Sequence, residues 1–468
     1  MSHPEPYAPQ LRTALVLTGT GTAGAYHAGA LRALHEAGVK LDVVAGRGIG
    51  AVSALFAAID GGQRLWSEKG FWQSPRVRTL YGWRPALRVV FWAMALSIAI
   101  VLVPLAAAAA GAIVFPIDFV ARMLGLGGAE GLIGAYVRAA QLASGPDGFP
   151  TWLPRLVVLV LGLALVVVAA SAAVTAGRRR LRGPFWWRGV GAPLSSREAL
   201  AHCWRAMWDL LRGAASLAQP APLELARRYV ELLGENIGQP GFRELIVTVH
   251  DLDAHRDLVF ALVAESRRRG LIRRASTAAA DARRAEVLDL FGVARGHLAD
   301  ALAASLSIPI VTDSHAMTFA PDAHWRGETH RLCDRPGSLA RILEELADLG
   351  VEQAVIVSSA PELTGPHALA AGRLDGKGRV GEYLQSAEAA AVRDATRWAT
   401  GRVPRMALFT IRPEHNPIGP FDFSGGYDDR SDRRQPLAEL MSRGYEDAYR
   451  QFIEPVVGAS GERVGLET

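Results

Sequence analysis

Apolar positions in the N-terminal part of the chain form short strand-like runs and small-residue helical stretches, with glycines at each junction. Ala14-Leu15-Val16-Leu17 reads as a buried strand running into Thr18-Gly19-Thr20-Gly21-Thr22-Ala23-Gly24, and a helix beginning Ala25-Tyr26-His27-Ala28 follows at once. Leu41-Asp42-Val43-Val44-Ala45 reads as a second short strand, and Ala51 to Ala58 as the start of a second helix. Downstream, Glu198 to Leu233 carries helical spacing, and Ala278 to Ala304 reads as another helical stretch leading to a break at Ile308-Pro309. Met406 to Ile411 reads as a C-terminal strand, and the Gly-rich, polar Leu363 to Gly381 as a loop or lid. Arg267 to Arg284, rich in arginine and alanine, reads as a solvated helix face.

Two stretches break this pattern. Val89 to Ile117 has no charge and is interrupted only by Pro104, Pro116 and a Gly/Ala-rich middle, and Leu156 to Gly177 is an uncharged run rich in Leu and Val. Each exceeds the roughly 20 residues that cross a hydrocarbon core. Arg76, Arg78, Arg84 and Arg88 precede the first run, and Arg178, Arg179, Arg180, Arg182 and Arg188 follow the second. Between them, Arg122, Arg138 and Arg155 are offset by Asp118, Glu130 and Asp147. The positive-inside rule then places both flanks in the cytoplasm and the loop 118–155 on the opposite side. Trp83, Phe91 and Trp92, Trp152, and Phe185, Trp186 and Trp187 suit interfacial belts. The expected organisation is an N-terminal domain part over 1–84, a two-helix transmembrane hairpin over 85–182, and the remainder of the domain with a C-terminal extension over 183–468.

Composition agrees with an integral membrane protein: of 468 residues, 50% are hydrophobic, and mean hydropathy is above zero. Met1 to Arg12 is polar and proline-bearing, so no cleaved signal peptide is expected. The net charge of +5 comes from arginines beside the apolar runs. This favours anionic lipid head groups over nucleic acid, which would call for a basic patch interleaved with aromatics on the globular part. Cys203 and Cys333 stand far apart, so neither a disulfide nor a metal site is expected, and no cofactor is indicated.

The candidate chemistry lies in the two glycine turns. Gly46-Arg47-Gly48-Ile49-Gly50 has the frame of a G-x-S-x-G nucleophile elbow, with glycine at the position of the serine. Glycine adopts the strained backbone of such a turn freely but brings no oxygen. Upstream, the amides around Gly19, Gly21, Thr22 and Gly24 at a helix N-terminus make an anion hole suited to a phosphate or an oxyanion. Gly19-x-Gly21-x-x-Gly24 also satisfies a dinucleotide fingerprint, but that motif needs an acidic residue at the end of the second strand, and Asp42 sits within it. Ser53 lies more than a helical turn beyond the elbow apex and reads as a packing residue, and His27 reads as structural.

Together these segments resemble the patatin-like phospholipase family, whose pattern is a G-G-G-x-R-G oxyanion loop, a G-x-S-x-G elbow and a later D-G-G or D-G-A that carries a dyad aspartate. Ala301 to Pro309 looks like that family's A-x-x-A-S-x-A-x-P segment, and Glu244 to Asp253 is similar to the strand before it. Pro420 to Ser424 and Arg443 to Ala448 look like the end of such domains. The resemblance implies a three-layer α/β/α domain with a mainly parallel sheet, and it makes Asp334 the equivalent of the dyad aspartate. The departures fall on the chemistry. Gly48 replaces the nucleophile, Thr20 and Ala23 replace a glycine and the arginine of the loop, and Arg335-Pro336 replace the glycines after the aspartate. The resemblance therefore implies a membrane-anchored protein without hydrolysis that binds a lipid, acyl group or protein partner in the former cleft. The alternatives are an active lipid acyl hydrolase using another nucleophile or activated water, and a structural or transport role for the hairpin.

Overall fold

Thr13–Thr18 (β1) is wholly buried and lies inside a large sheet in the structure, a computed structural model that describes residues 7–124, 130–178, 191–272, 285–362, 375–428 and 433–457. The chain divides into two units, Met1–Gly82 with Leu194–Thr468, and Trp83–Pro193.

In the first unit the sheet is built from β1, β2 (Val43–Gly46), β3 (Glu244–Asp251), β4 (Arg256–Leu262), β5 (Val287–Asp289), β6 (His315–Thr318), β7 (Thr329–Cys333), β8 (Gln353–Ser358) and β9 (Ala407–Ile411). Its order is β9-β8-β1-β2-β3-β4-β5, with β7 also pairing β3 and β6 pairing β7. From β9 to β3 every pairing is parallel; β3 to β4, β3 to β7 and β6 to β7 are antiparallel. The sheet is thus mixed but mostly parallel around β1. Leu15 and Leu17 enter one hydrophobic core and Ala14 and Val16 the other, so both faces of β1 are covered. That is why its sequence is continuously apolar.

The helices of this unit include α1 (Ala23–Glu36), α2 (Ile49–Ala58), α6 (Arg197–Leu211), α7 (Pro222–Asn236), α8 (His297–Ser305), α9 (Ser338–Asp348), α10 (Gly376–Arg402) and α11 (Leu437–Ala448). Those contributing to the first core include α1, α2 and α11. Apolar residues of α9 and α10, among them Leu339, Leu343 and Val392, contribute to the second. The helix read over Ala278 to Ala304 needs correction: Val287–Asp289 is a strand, and among the described residues of that stretch the helical part is chiefly α8. Val287 pairs Val259 at the sheet edge, where backbone pairing outweighs the helical spacing around it.

In the second unit, α3 (Pro85–Met123) runs unbroken through Pro104 and Pro116, and α5 (Phe149–Arg178) through Pro154. Both are long and apolar enough to cross a membrane, with mean hydropathies of 2.6 and 2.9 in their most apolar windows. The stretch expected as a simple loop, 118–155, contains a further helix, α4 (Glu130–Ser144). It is fixed to α3 by the Tyr136 hydroxyl, which donates to the Ala107 carbonyl at 2.8 Å. The glycines on either side of α4 made it read as irregular.

Arg179, Arg180, Arg182 and Arg188, the aromatics Phe185, Trp186 and Trp187, and residues 273–284 and 363–374 lie outside the described residues.

Candidate functional site

The two glycine turns lie side by side because β1 and β2 are parallel neighbours, with Leu17 in register with Gly46. Gly46 ends β2, Gly48 caps α2, and Gly50 packs its backbone against the Leu17 carbonyl. Gly48 has φ 55 and ψ −136, a backbone that side-chain-bearing residues adopt only under strain. The geometry of an elbow is therefore kept at the apex. A Cβ built there would lie 2.3 Å from the Gly19 carbonyl oxygen and 2.9 Å from Asp334 Oδ2. The structure thus brings Gly48, Gly19 and Asp334 to one point, although Asp334 follows β7, which pairs with β3.

At that point Asp334 is buried and its backbone N–H donates to Ser307 O at 2.8 Å. Both of its carboxylate oxygens accept from Arg47 Nη1, at 2.8 and 2.9 Å. Arg47 is fully buried, and its Nη2 makes a second ion pair with Glu388 of α10. Glu388 in turn accepts from the Thr18 hydroxyl at 2.6 Å. One guanidinium therefore ties the elbow, the segment after β7 and α10 together. Both carboxylate oxygens of Asp334 are thus engaged by the guanidinium.

The glycine loop is also committed internally. The amide of Ile49, the residue after the apex and an expected oxyanion donor, is bonded to Gly19 O at 3.0 Å. A carbonyl thus points at the apex where donors are needed. The Thr22 amide donates to Pro420 O at 3.0 Å, and the Thr22 hydroxyl to Gly419 O at 3.0 Å. The Ala23 and Gly24 amides bond within the loop, to Thr20 O and Gly21 O. Gly21 has φ 60, and a Cβ there would sit 1.9 Å from Pro420 O, so the C-terminal segment lies directly on the loop. Gly24 lies in α1 facing Trp72. The space left beside the loop, lined by Thr20, Thr22, Ser359, Glu388 and Asn416, is about 10 Å³. That is roughly the room of a single water. An acyl chain does not fit it.

His27 and Ser53 form a sealed pair behind the site. His27 Nε2 donates to Thr18 O at 3.0 Å, which leaves Nδ1 to accept from the Ser53 hydroxyl at 3.4 Å. Burial pushes the His27 imidazole down to about 4, with Arg47 lowering it further and the Thr18 bond opposing. The unfolded chain takes up its proton near 6.5, so this group's contribution to stability is complete above that pH. It is lost as pH falls from about 6.5 to about 4, a loss on the order of 3 kcal/mol. His27→Gln is expected to flatten the decline in thermal midpoint across this window; matching slopes for the variant and the wild type would refute the assignment.

Sequence reasoning missed Arg47, Glu388 and Pro420. A signal for Arg47 was present: it is a lone cation in the apolar stretch from Val43 to Ile59, so its burial requires an acidic partner. Nothing local marked Glu388, and Pro420 stood out only as part of the end of the domain; both reach the site through tertiary packing. Among the described residues no group of His, Cys, Asp and Glu is arranged to hold a metal ion.

The family model for patatin-like phospholipases matches residues 15–334. Among solved structures, the crystal structure of VipD from Legionella pneumophila aligns with 14% identity and a TM-score of 0.32, covering 96% of this chain and 67% of that one. No curated protein matches the chain significantly.

Proposed function

The chain belongs to the patatin-like phospholipase family, and from that premise we propose that it is a membrane-anchored member that has given up hydrolysis. The observation that carries this reading is an apex without an oxygen beside an aspartate and an amide that are both held by other contacts. The apex has no oxygen, the amide after it is held by Gly19 O, and Asp334 is held by Arg47. A covalent acyl-enzyme needs a nucleophile, a free base and open oxyanion donors; the absent oxygen and these two contacts argue against that route. The Ser–His pair behind the loop, Ser53 with His27, is buried, which argues against it as a substitute nucleophile.

Membrane anchoring is supported by the side chains of α3 and α5. Core helices of a soluble protein hide their apolar residues, whereas Phe91, Trp92, Leu105, Val158 and Leu165 are all more than half exposed here. With the arginine-rich flanks, this favours two spans with the patatin-like domain on the cytoplasmic side and the 118–155 segment opposite. The partner is then membrane lipid, contacted through the hairpin and its surroundings.

The test is turnover of activated fatty-acyl esters by the purified full-length protein in detergent or vesicles. Hydrolysis is expected to stay at the rate of a protein-free control. Turnover that is abolished by substituting Ser53 or His27 would establish the active-hydrolase reading instead.

A further inference from the structure

Ile310 combines two costly features. It has φ +70, a left-handed backbone that β-branched residues adopt only under strain, and its side chain is 86% exposed. The other described non-glycine residues with positive φ, Asp60, His255 and Arg326, are polar. The turn is held rather than loose. Thr312 clamps Ile308 from both sides, donating its amide to Ile308 O at 2.9 Å and accepting the Ile308 amide on its hydroxyl at 2.8 Å. Ile308 and Val311 are buried, so the turn anchors its flanks and projects Ile310 alone.

The mounting of this turn places it at the edge where the first unit gives up the chain and takes it back. The Tyr81 hydroxyl, beside the last residue of the N-terminal segment, donates to Leu306 O at 3.1 Å. The amide of Leu194, the first residue on return, donates to Val311 O at 2.9 Å. Just before Tyr81, Arg76 and Arg78 are exposed on a short turn of helix. Backbone strain of this kind persists where the surroundings over-determine it, and it clusters at functional sites.

We infer that Ile310 is a lipid-inserting tip, by which the patatin-like domain rests on the bilayer at the root of the hairpin, with Arg76 and Arg78 facing anionic head groups. The inference depends on the membrane-anchored reading. Given two spans, an edge joined to the first of them through Trp83 and Arg84 alone must lie within reach of the bilayer surface.

Cysteine labelling tests it, since Cys203 and Cys333 are buried and burial raises both thiols, Cys333 to about 12. The full-length Ile310→Cys protein carrying an environment-sensitive fluorophore is reconstituted into vesicles of phosphatidylcholine and phosphatidylserine. Gln239→Cys, exposed before the start of β3, is the control. In protein that resists alkaline carbonate extraction, the label at 310 is expected to shift to the blue and to be quenched by nitroxides on the lipid chains, while the label at 239 responds only to aqueous quenchers. Carbonate-resistant protein whose label at 310 behaves like that at 239 would overturn the tip and leave the anchor standing. Protein released by carbonate would overturn the anchor, and the tip with it. Ile310→Gly should raise the thermal midpoint by relieving the backbone. A fall would mean that Ile310 is kept for packing, against the proposal.

Discussion

Arg47→Leu is expected to lower stability by about 3–5 kcal/mol, the range for removing one member of a buried ion pair. The variant leaves Asp334 and Glu388 buried without the cation that both of them use. It also cuts the link from the elbow to α10. The expected reading is a fall in thermal midpoint on the order of 10 °C in detergent-purified protein. The cost arises from stranded carboxylates rather than from lost packing, so Arg47→Leu combined with Asp334→Asn and Glu388→Gln should recover a good part of it. A single variant as stable as the wild type would show that the guanidinium does not hold this network together.

Gly48→Ser is the second large effect, and here structure and sequence lead to different expectations. From the sequence, a serine restored beside Asp334 should give weak activity and detectable labelling by serine-reactive probes. The geometry removes even that. The new Cβ would meet the Gly19 carbonyl oxygen at 2.3 Å, a backbone atom that cannot swing aside as a side chain would. The hydroxyl would meet an aspartate already neutralised by Arg47, with the Ile49 amide turned to Gly19. Each absent oxyanion donor costs about 100- to 1000-fold in rate. The variant is therefore expected to lose stability and to show no covalent labelling by a fluorophosphonate probe. Labelling of folded Gly48→Ser protein would mean that the loop can reopen around the apex, and that the closed arrangement is one state of two.

The elements around the site were legible because their signals are local. A strand entering a glycine turn and leaving as a helix marks itself twice, at Thr13–Glu36 and at Val43–Ala58, and the parallel pairing of β1 with β2 follows from that unit. The long charge-free runs were legible for the same reason. What the sequence did not reveal is what fills the site. Arg47 looks like the variable residue of a motif until its partners are known, and those partners come from residues 334 and 388, brought in through different elements. Pro420 reaches the glycine loop from near the C-terminus. The edge strand β5 was hidden because Val287-Leu288-Asp289 is too short to outvote the helical spacing on either side. Helix α4 was hidden by the glycines around it.

The order of strands also dictates an order of events during synthesis. β1 needs β2 on one side and β8 on the other, and β2 needs β3, yet β3 begins at Glu244 and β8 at Gln353, both after the second unit at Trp83–Pro193. The ribosome therefore completes the apolar hairpin while the N-terminal strand pair still has both outer edges bare and its helices uncovered on the far side. If the hairpin enters the bilayer as it emerges, the domain assembles only afterwards, on a chain whose first strands are already tethered at the membrane surface. In such a chain, slow or failed insertion would present as aggregation of the patatin-like domain, even though none of its own residues had changed.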